Sequence, residues 1–163
     1  MTISSALERL NYGGADGSIA TGLHRQIIQN VGATRPLLAE ESGALCLFDR
    51  AAGNVFTLPA PVEGMQFEFS TTVLVTSNAA KVITNSASVF LIGSLMGGSL
   101  TVADSGDVFQ ADGSTHVAVS MNGSTTGGLV GGSMKFTAIS STQWLVEGDF
   151  VASGTVATPF ATS

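Results

Sequence analysis

The sequence predicts an all-β protein: an antiparallel β-sandwich, jelly-roll-like, preceded by an N-terminal arm of low regular structure. Three observations carry that expectation. Met65, Phe67, Phe69, Thr71, Val73 and Val75 alternate with Gln66, Glu68, Ser70, Thr72 and Thr76, with Leu74 the one exception. A period of two over this length marks a strand with one face on a core and the other in water or on a partner. Strand-like runs recur every ~8–12 residues, as in sandwiches and barrels. No long helical period intervenes after Pro36.

Residues 1–36 differ from the rest of the chain and form the expected arm. Ser5-Ala6-Leu7-Glu8 fits a capping box, and Leu7 and Leu10 share a face before Gly13-Gly14. Leu23, Ile27, Ile28 and Val31 fall at helical spacing between Gly22 and Gly32, enough for a short helix that needs a surface to pack on. Arg9, Arg25 and Arg35 against Glu8 and Asp16 leave the arm at +1, while the remaining residues, with three basic and ten acidic, stand at −7. That asymmetry suits an arm lying on an acidic surface, its own or a partner's.

The β domain is expected over residues 37–153 and a small polar tail over 154–163. Within the domain, Leu45 and Leu47 lie in a first strand, Arg50 to Asn54 in a glycine-containing turn, and Val55 to Leu58 in a short strand stopped by Pro59 and Pro61. After the alternating strand come Lys81–Thr84, Ser88–Ile92, Ser99–Val102, Asp107–Gln110 and His116–Met121. Ser133–Ile139, Gln143–Glu147 and Asp149–Ala152 complete the series. Asp112-Gly113 and Asn122-Gly123 are hairpin-type turn signals between them. Gly123 to Gly132 reads as a long loop that is either mobile or ordered by a neighbour, with Leu129-Val130 at its tip. The chain has no internal repeat, which argues against a solenoid or a repeated fibre shaft.

Composition narrows the function classes. Charged residues make up 11% of the 163, against roughly a quarter in ordinary soluble domains. A surface so poor in charge points to an oligomer or to a protein bound on a larger body. Six scattered basic residues and a net charge of −6 argue against nucleic acid, which requires a Lys/Arg patch. No apolar run approaches the ~18 residues of a membrane helix. MTISSALERLNYGG lacks a basic start and an apolar core, so the expectation is a chain made in the cytoplasm without a signal peptide. Cys46, the single cysteine, reads as a small core residue.

The inventory for chemistry is thin. His24 and His116 are the only histidines, and a cupin-type metal site wants about three plus a glutamate. Asp112, Ser114 and His116 lie close together but straddle a turn, whereas a catalytic triad needs its base oriented by a separate buried acid. Asp104, Asp107 and Asp112 are oxygen donors that a calcium ion could use, at spacings unlike an EF-hand loop. Asn122-Gly123-Ser124 matches a glycosylation acceptor but reads better as a turn. The expectation is no enzyme, no cofactor and no metal site.

The run LFDRAAGNVFTLPAPVEGMQFEF, Leu47 to Phe69, resembles a segment of small virion proteins of tailed bacteriophages. There a strand and turn lead to V-x-T-L-P-x-P, a glycine and an alternating aromatic strand. Ser140 to Gly148 is similar to their closing hairpin, S-x-x-x-W-x-V-x-G. The family resembled is that of capsid decoration proteins, also called cement or head-stabilising proteins, and the same motifs occur in tail-fibre and spike modules. The resemblance implies a structural bacteriophage protein on the capsid outer surface. It implies a homotrimer clamping neighbouring major capsid protein subunits, with no enzymatic activity and no cofactor. A tail-fibre or receptor-binding β module is the alternative. The matched positions are turn and packing residues, so no binding residue is carried over. Candidate capsid or subunit contacts come instead from composition and charge: Leu10, Tyr12, Leu23, Arg25, Ile27, Ile28 and Arg35 in the arm, Leu129 and Val130 in the loop, and Phe160 in the tail.

Overall fold

The computed structural model describes residues 24–29, 31–103 and 105–163. The strands are β1 (Ile27–Ile28), β2 (Thr34–Pro36), β3 (Leu45–Phe48), β4 (Val55–Thr57), β5 (Gln66–Thr71) and β6 (Ala80–Ile83). They continue as β7 (Phe90–Ser99), β8 (Gly106–Asp112), β9 (Ala118–Met121), β10 (Gly131–Ser140), β11 (Gln143–Ala152) and β12 (Phe160–Ala161). A single 3-10 turn, Ala39–Glu41, is the helical element among the described residues. The strands form a seven-stranded sheet, β1-β3-β5-β10-β11-β7-β8, and a five-stranded sheet, β12-β9-β6-β4-β2. The all-β expectation holds, with two sheets around one core.

Strand direction differs from the antiparallel, jelly-roll-like expectation. Jelly rolls are built from antiparallel Greek keys, and half of the strand pairings here are parallel: β1 with β3, β3 with β5, β2 with β4, β4 with β6, and β7 with β11. Both sheets are therefore mixed. The cause lies in the path of the chain. From β1 to β6 each strand enters the sheet opposite its predecessor, so β1, β3 and β5 pair in turn in one sheet and β2, β4 and β6 in the other. The opposite sheet supplies the long crossover that a parallel pair needs. This half of the chain is a flattened coil without a sequence repeat. Its register steps, Ile27 to Leu45 to Glu68 and Thr34 to Val55 to Lys81, are unequal. The β10–β11 hairpin then inserts between β5 and β7, with β10 antiparallel to β5 and β11 parallel to β7.

One aromatic cluster joins the layers. Phe48 and Phe69 of the large sheet meet Phe56 of the small sheet at ring-centroid distances of 5.4 and 5.5 Å, and Phe69 also meets Phe136 at 5.3 Å. These rings are fully buried, as is Trp144, which lies 6.0 Å from Phe67. The alternation read across β5 is what places Phe67, Phe69 and Thr71 inward.

Several boundaries move. Residues 24–36 are not a free arm. Ile27 and Ile28 pair with β3 instead of forming the expected helix, Ile28 is buried, and Thr34–Pro36 pair with β4. Helical spacing loses here to the ladder that β3 offers, since a helix this short has little stability of its own. Arg25 fastens the entry: its Nε and Nη2 donate to the Gly43 and Ala44 carbonyls, and its Nη1 bonds Glu68 at 2.5 Å. The capping box at Ser5 and the residues Leu10, Tyr12 and Leu23 lie outside the described residues. In place of two strands at Ser88–Ile92 and Ser99–Val102, β7 runs unbroken from Phe90 to Ser99 through Gly93, Gly97 and Gly98. β11 and β8 hold it from both sides. The tail is not free either, because Phe160 is buried in the core and β12 pairs with β9.

Cys46 sits in β3 with no exposed surface. Burial pushes its thiol up to about 12, with Glu41 adding to the rise and Arg25 and Arg35 opposing it. An exposed thiol ionises near pH 9.0, so the fold holds the neutral form. The stabilising contribution is full below that pH and is lost as pH rises from about 9 to about 12. The expected outcome is a thiol that a colorimetric reagent modifies at pH 8 only as fast as the protein unfolds. In addition, a Cys46→Val variant should lose stability less steeply than wild type across the alkaline limb. Rapid labelling of native protein would contradict the burial.

Candidate interaction surface

The residues with reactive side chains serve the fold. Asp112 accepts from the Ser114 and Thr115 amides through Oδ1 and from the Thr115 hydroxyl through Oδ2. The Ser114 amide, with Thr115, holds its carboxyl down to about 2. His116 Nδ1 stands 4.0 Å from Asp112 Oδ1, beyond hydrogen-bond length, and its ring packs 5.6 Å from Phe160. This is an Asx turn ahead of β9 and has no triad geometry. Asp107 and Asp112 lie near opposite ends of β8, about 17 Å apart at strand rise, so they cannot share an ion. Asp104 lies outside the described residues. Among the described residues three side chains hold buried polar atoms without a hydrogen-bond partner: the Asn54 amide and the Trp144 indole nitrogen, both enclosed by the core, and His116 Nδ1.

What the fold presents is an apolar groove of about 770 Å³ at one end of the large sheet, where β7, β8 and β11 lie side by side. Met96 and Val108 face each other in register and are 60% and 58% exposed. Leu100, 72% exposed, forms a lip held by its amide donating to the Ala152 carbonyl, and Val151 lines the β11 side. The floor is backbone: Gly97 pairs with Asp107, and Gly98 with Gly106. A methyl group on Gly97 would run into Phe150 and Val156, so glycine there lets the Phe150 ring seal the underside of the floor. Among the described residues, the charged groups of the lining are Asp107 and Asp149.

The expected contact residues divide. Ile27 and Val130 are exposed, at 55% and 57%. Ile28 and Phe160 are core residues and cannot meet a partner without unfolding their strands, which corrects their assignment. Arg25 and Arg35 are engaged by Glu68 and by Glu41, whose other carboxylate oxygen accepts from the Leu38 amide. Glu68 also accepts from the Ser133 hydroxyl, and the Arg25 bond lowers its pKa. Leu129 is half-buried, and its amide donates to the Val151 carbonyl, placing the 123–132 loop on the β11 side of the groove. That loop is tied down from within: Asn122 Oδ1 accepts from the Ser124 and Thr126 amides, and the Gly128 carbonyl accepts from the Val75 amide.

Sequence reasoning misses Met96, Leu100, Val108 and Val151. A usable signal is present in the Met96-Gly-Gly-Ser-Leu100 run, where large apolar residues flank glycines inside a strand. Glycine in a strand often marks a close approach of another group. No family model, curated protein or solved structure matches the chain.

Proposed function

We propose that this chain is a structural virion protein of a bacteriophage, a capsid decoration protein that binds the head as a homotrimer. In this reading it stabilises contacts between major capsid protein subunits. The observation that supports it is the pairing of an apolar-cored sandwich with an exposed apolar groove on a surface poor in charge. Met96, Leu100, Val108 and Val151 converge there with two carboxylates. Exposed apolar patches of this kind mark contact surfaces. The segment Leu47 to Phe69, which resembles decoration proteins, runs from β3 to β5 and so builds the core around Phe48, Phe56 and Phe69.

The mechanism is additive burial. Each trimer adds an interface of order 1,000 Å² or more to the shell, repeated at every three-fold position, and binding to the intact shell alone raises the free energy of disruption. Virions carrying the protein are expected to survive heating to a higher temperature than virions stripped of it, measured by release of packaged DNA. Equal disruption temperatures would remove the stabilising role. Labelling of particles separates this reading from a tail-fibre or receptor-binding module: signal over the head supports decoration, and signal confined to the tail tip replaces it.

A further inference from the structure

We propose that the free margin of β8, with the groove beside it, binds an extended basic segment of another protein as an added strand. Four strands bound the two sheets. Of these, β1, β2 and β12 have two, three and two residues, too few to hold a further strand. β8 has seven, in unbroken register with β7, and contains no Lys or Pro of the kind that blunts an exposed edge. Its outward groups follow from the ladder. The Ser99 amide donates to the Ser105 carbonyl and the Gly113 amide to the Leu91 carbonyl, the two pairs that bracket the register. Bonded pairs alternate in an antiparallel ladder, so Asp107, Phe109 and Ala111 bond β7 while the backbone groups of Val108 and Gln110 point away from it. Accordingly, the Val108 amide donates to the carboxylate of its own neighbour Asp107, at 2.7 Å. An incoming strand displaces that local bond and takes the amide.

Charge selects the occupant. Asp107 and Asp112 lie near the two ends of β8, and Asp149 stands across the groove. On the outer face of the large sheet Glu68, Lys135 and Glu147 share one register row and alternate in sign, with Arg25 bound to Glu68. In the next row Asp149 lies between Ser133 and Met96, neither of them a cation. A second copy is disfavoured, because β8 against β8 would gather Asp107 and Asp112 of both copies on one ladder, where like charges are destabilising. The leader is no better matched, since residues 1–23 hold Arg9 against Glu8 and Asp16. A foreign strand with Lys or Arg near Asp107 and Asp112, and a large apolar residue over Val108 and Met96, meets both the charge and the groove. Gly98 and Gly106 face each other in register and leave the floor bare, which gives that apolar residue room. Main-chain pairing then supplies affinity and the groove supplies side-chain choice, as where peptides add to a sheet edge. If the protein decorates a capsid, the strand belongs to the major capsid subunit; the edge contact itself does not rest on that reading.

The test titrates the full-length protein with a synthetic peptide of β8's length that alternates Val and Lys. Calorimetry should show saturable binding, and amide exchange should slow at Val108 and Gln110. Asp107→Asn with Asp149→Asn should weaken binding roughly tenfold or more. Gly98→Leu, whose Cβ meets no atom within 4 Å, should fill the groove and weaken binding as well, with thermal unfolding as the check that the fold is kept. The same peptide N-methylated along both edges cannot form a ladder and should not bind. A Val–Glu peptide should not bind either, for want of the opposite charge. Equal binding of the N-methylated peptide reduces the contact to surface attraction and overturns the inference. Equal binding of the Val–Glu peptide, or no binding of the Val–Lys peptide at millimolar concentration, overturns it too. Slow exchange at Gln110 in the protein alone means that the leader or a second copy already holds the margin, and has the same consequence. None of these measurements involves virions, so heat resistance of particles decides the decoration role separately.

Discussion

Phe69→Ala is expected to cost about 3–5 kcal/mol of folding stability, the range for a large aromatic deleted from a packed core. Phe69 is the ring on which the layers converge, touching Phe48 and Phe136 in its own sheet and Phe56 across the core. Edge-to-face pairs contribute about 0.5–1.5 kcal/mol each beyond area burial, so the loss should sit toward the top of that range. With total stability of such domains at about 5–15 kcal/mol, the variant approaches the limit of folding. Urea unfolding followed by tryptophan fluorescence measures it, since Trp144 is the single tryptophan. Met96→Ala, at a residue 60% exposed in the groove, should change stability by less than about 0.5 kcal/mol. A Phe69→Ala loss below about 1 kcal/mol would mean that the sheets are not joined through this cluster.

Gly148→Ala is expected to be at least as damaging, for a different reason. Gly148 lies within β11 at φ +132°, a conformation that side chains rarely adopt, and a Cβ there would overlap the Ser133 carbonyl oxygen of β10. Conformational strain of this kind costs about 1–3 kcal/mol by itself. Relieving the overlap would also break the Met134–Gly148 pairing in the hairpin that bridges the coiled half of the large sheet to β7 and β8. The sum should exceed about 4 kcal/mol, among the largest effects of single substitutions. Gly98→Ala is the control: no atom lies within 4 Å of its added methyl group and no positive φ constrains it, so it should be neutral within about 0.5 kcal/mol. Thermal unfolding of the two variants separates the cases. Similar midpoints would refute the claim that Gly148 is required by its backbone.

How much was legible depended on whether the signal was local. Alternation in β5 placed Phe67 and Phe69 inward because successive strand side chains must point to opposite faces. Turn chemistry located Arg50–Gly53, where the Gly53 amide donates to the Arg50 carbonyl, and the Asx turn at Asp112. Neither Asp112-Gly113 nor Asn122-Gly123 closes a hairpin, however, because β9 lies in the small sheet while β8 and β10 lie in the large one. The helical spacing of Leu23, Ile27, Ile28 and Val31 misled because short apolar runs fit more than one period. There the tertiary ladder on β3 decided the outcome. Phe160 looked like a docking residue in a polar tail. Only the position of β9 shows that it closes the core.

The groove was the least legible feature. Met96, Leu100 and Val108 have the apolar character of core residues, and apart from the glycines that follow Met96 little local distinguishes them from Leu95 or Ala111, which are buried. Alternation along β7 and β8 puts Met96 and Val108 on the face opposite Leu95 and Phe109, and the pairing of distant segments into two sheets decides which of those faces is the outer one.

By itself the sequence determined that this chain is built of short strands around an aromatic core, because side-chain alternation and turn residues act within a few positions. The tertiary structure alone decided the direction of those strands. Period two is the same in parallel and antiparallel pairs, and only the alternation of the chain between two sheets makes β1, β3 and β5 run together. The same long-range pairing drew Ile28 and Phe160 into the core and left Met96 and Val108 outside it. Pairing energy between segments far apart in sequence is a property of the assembled fold, which is why no local pattern announced it.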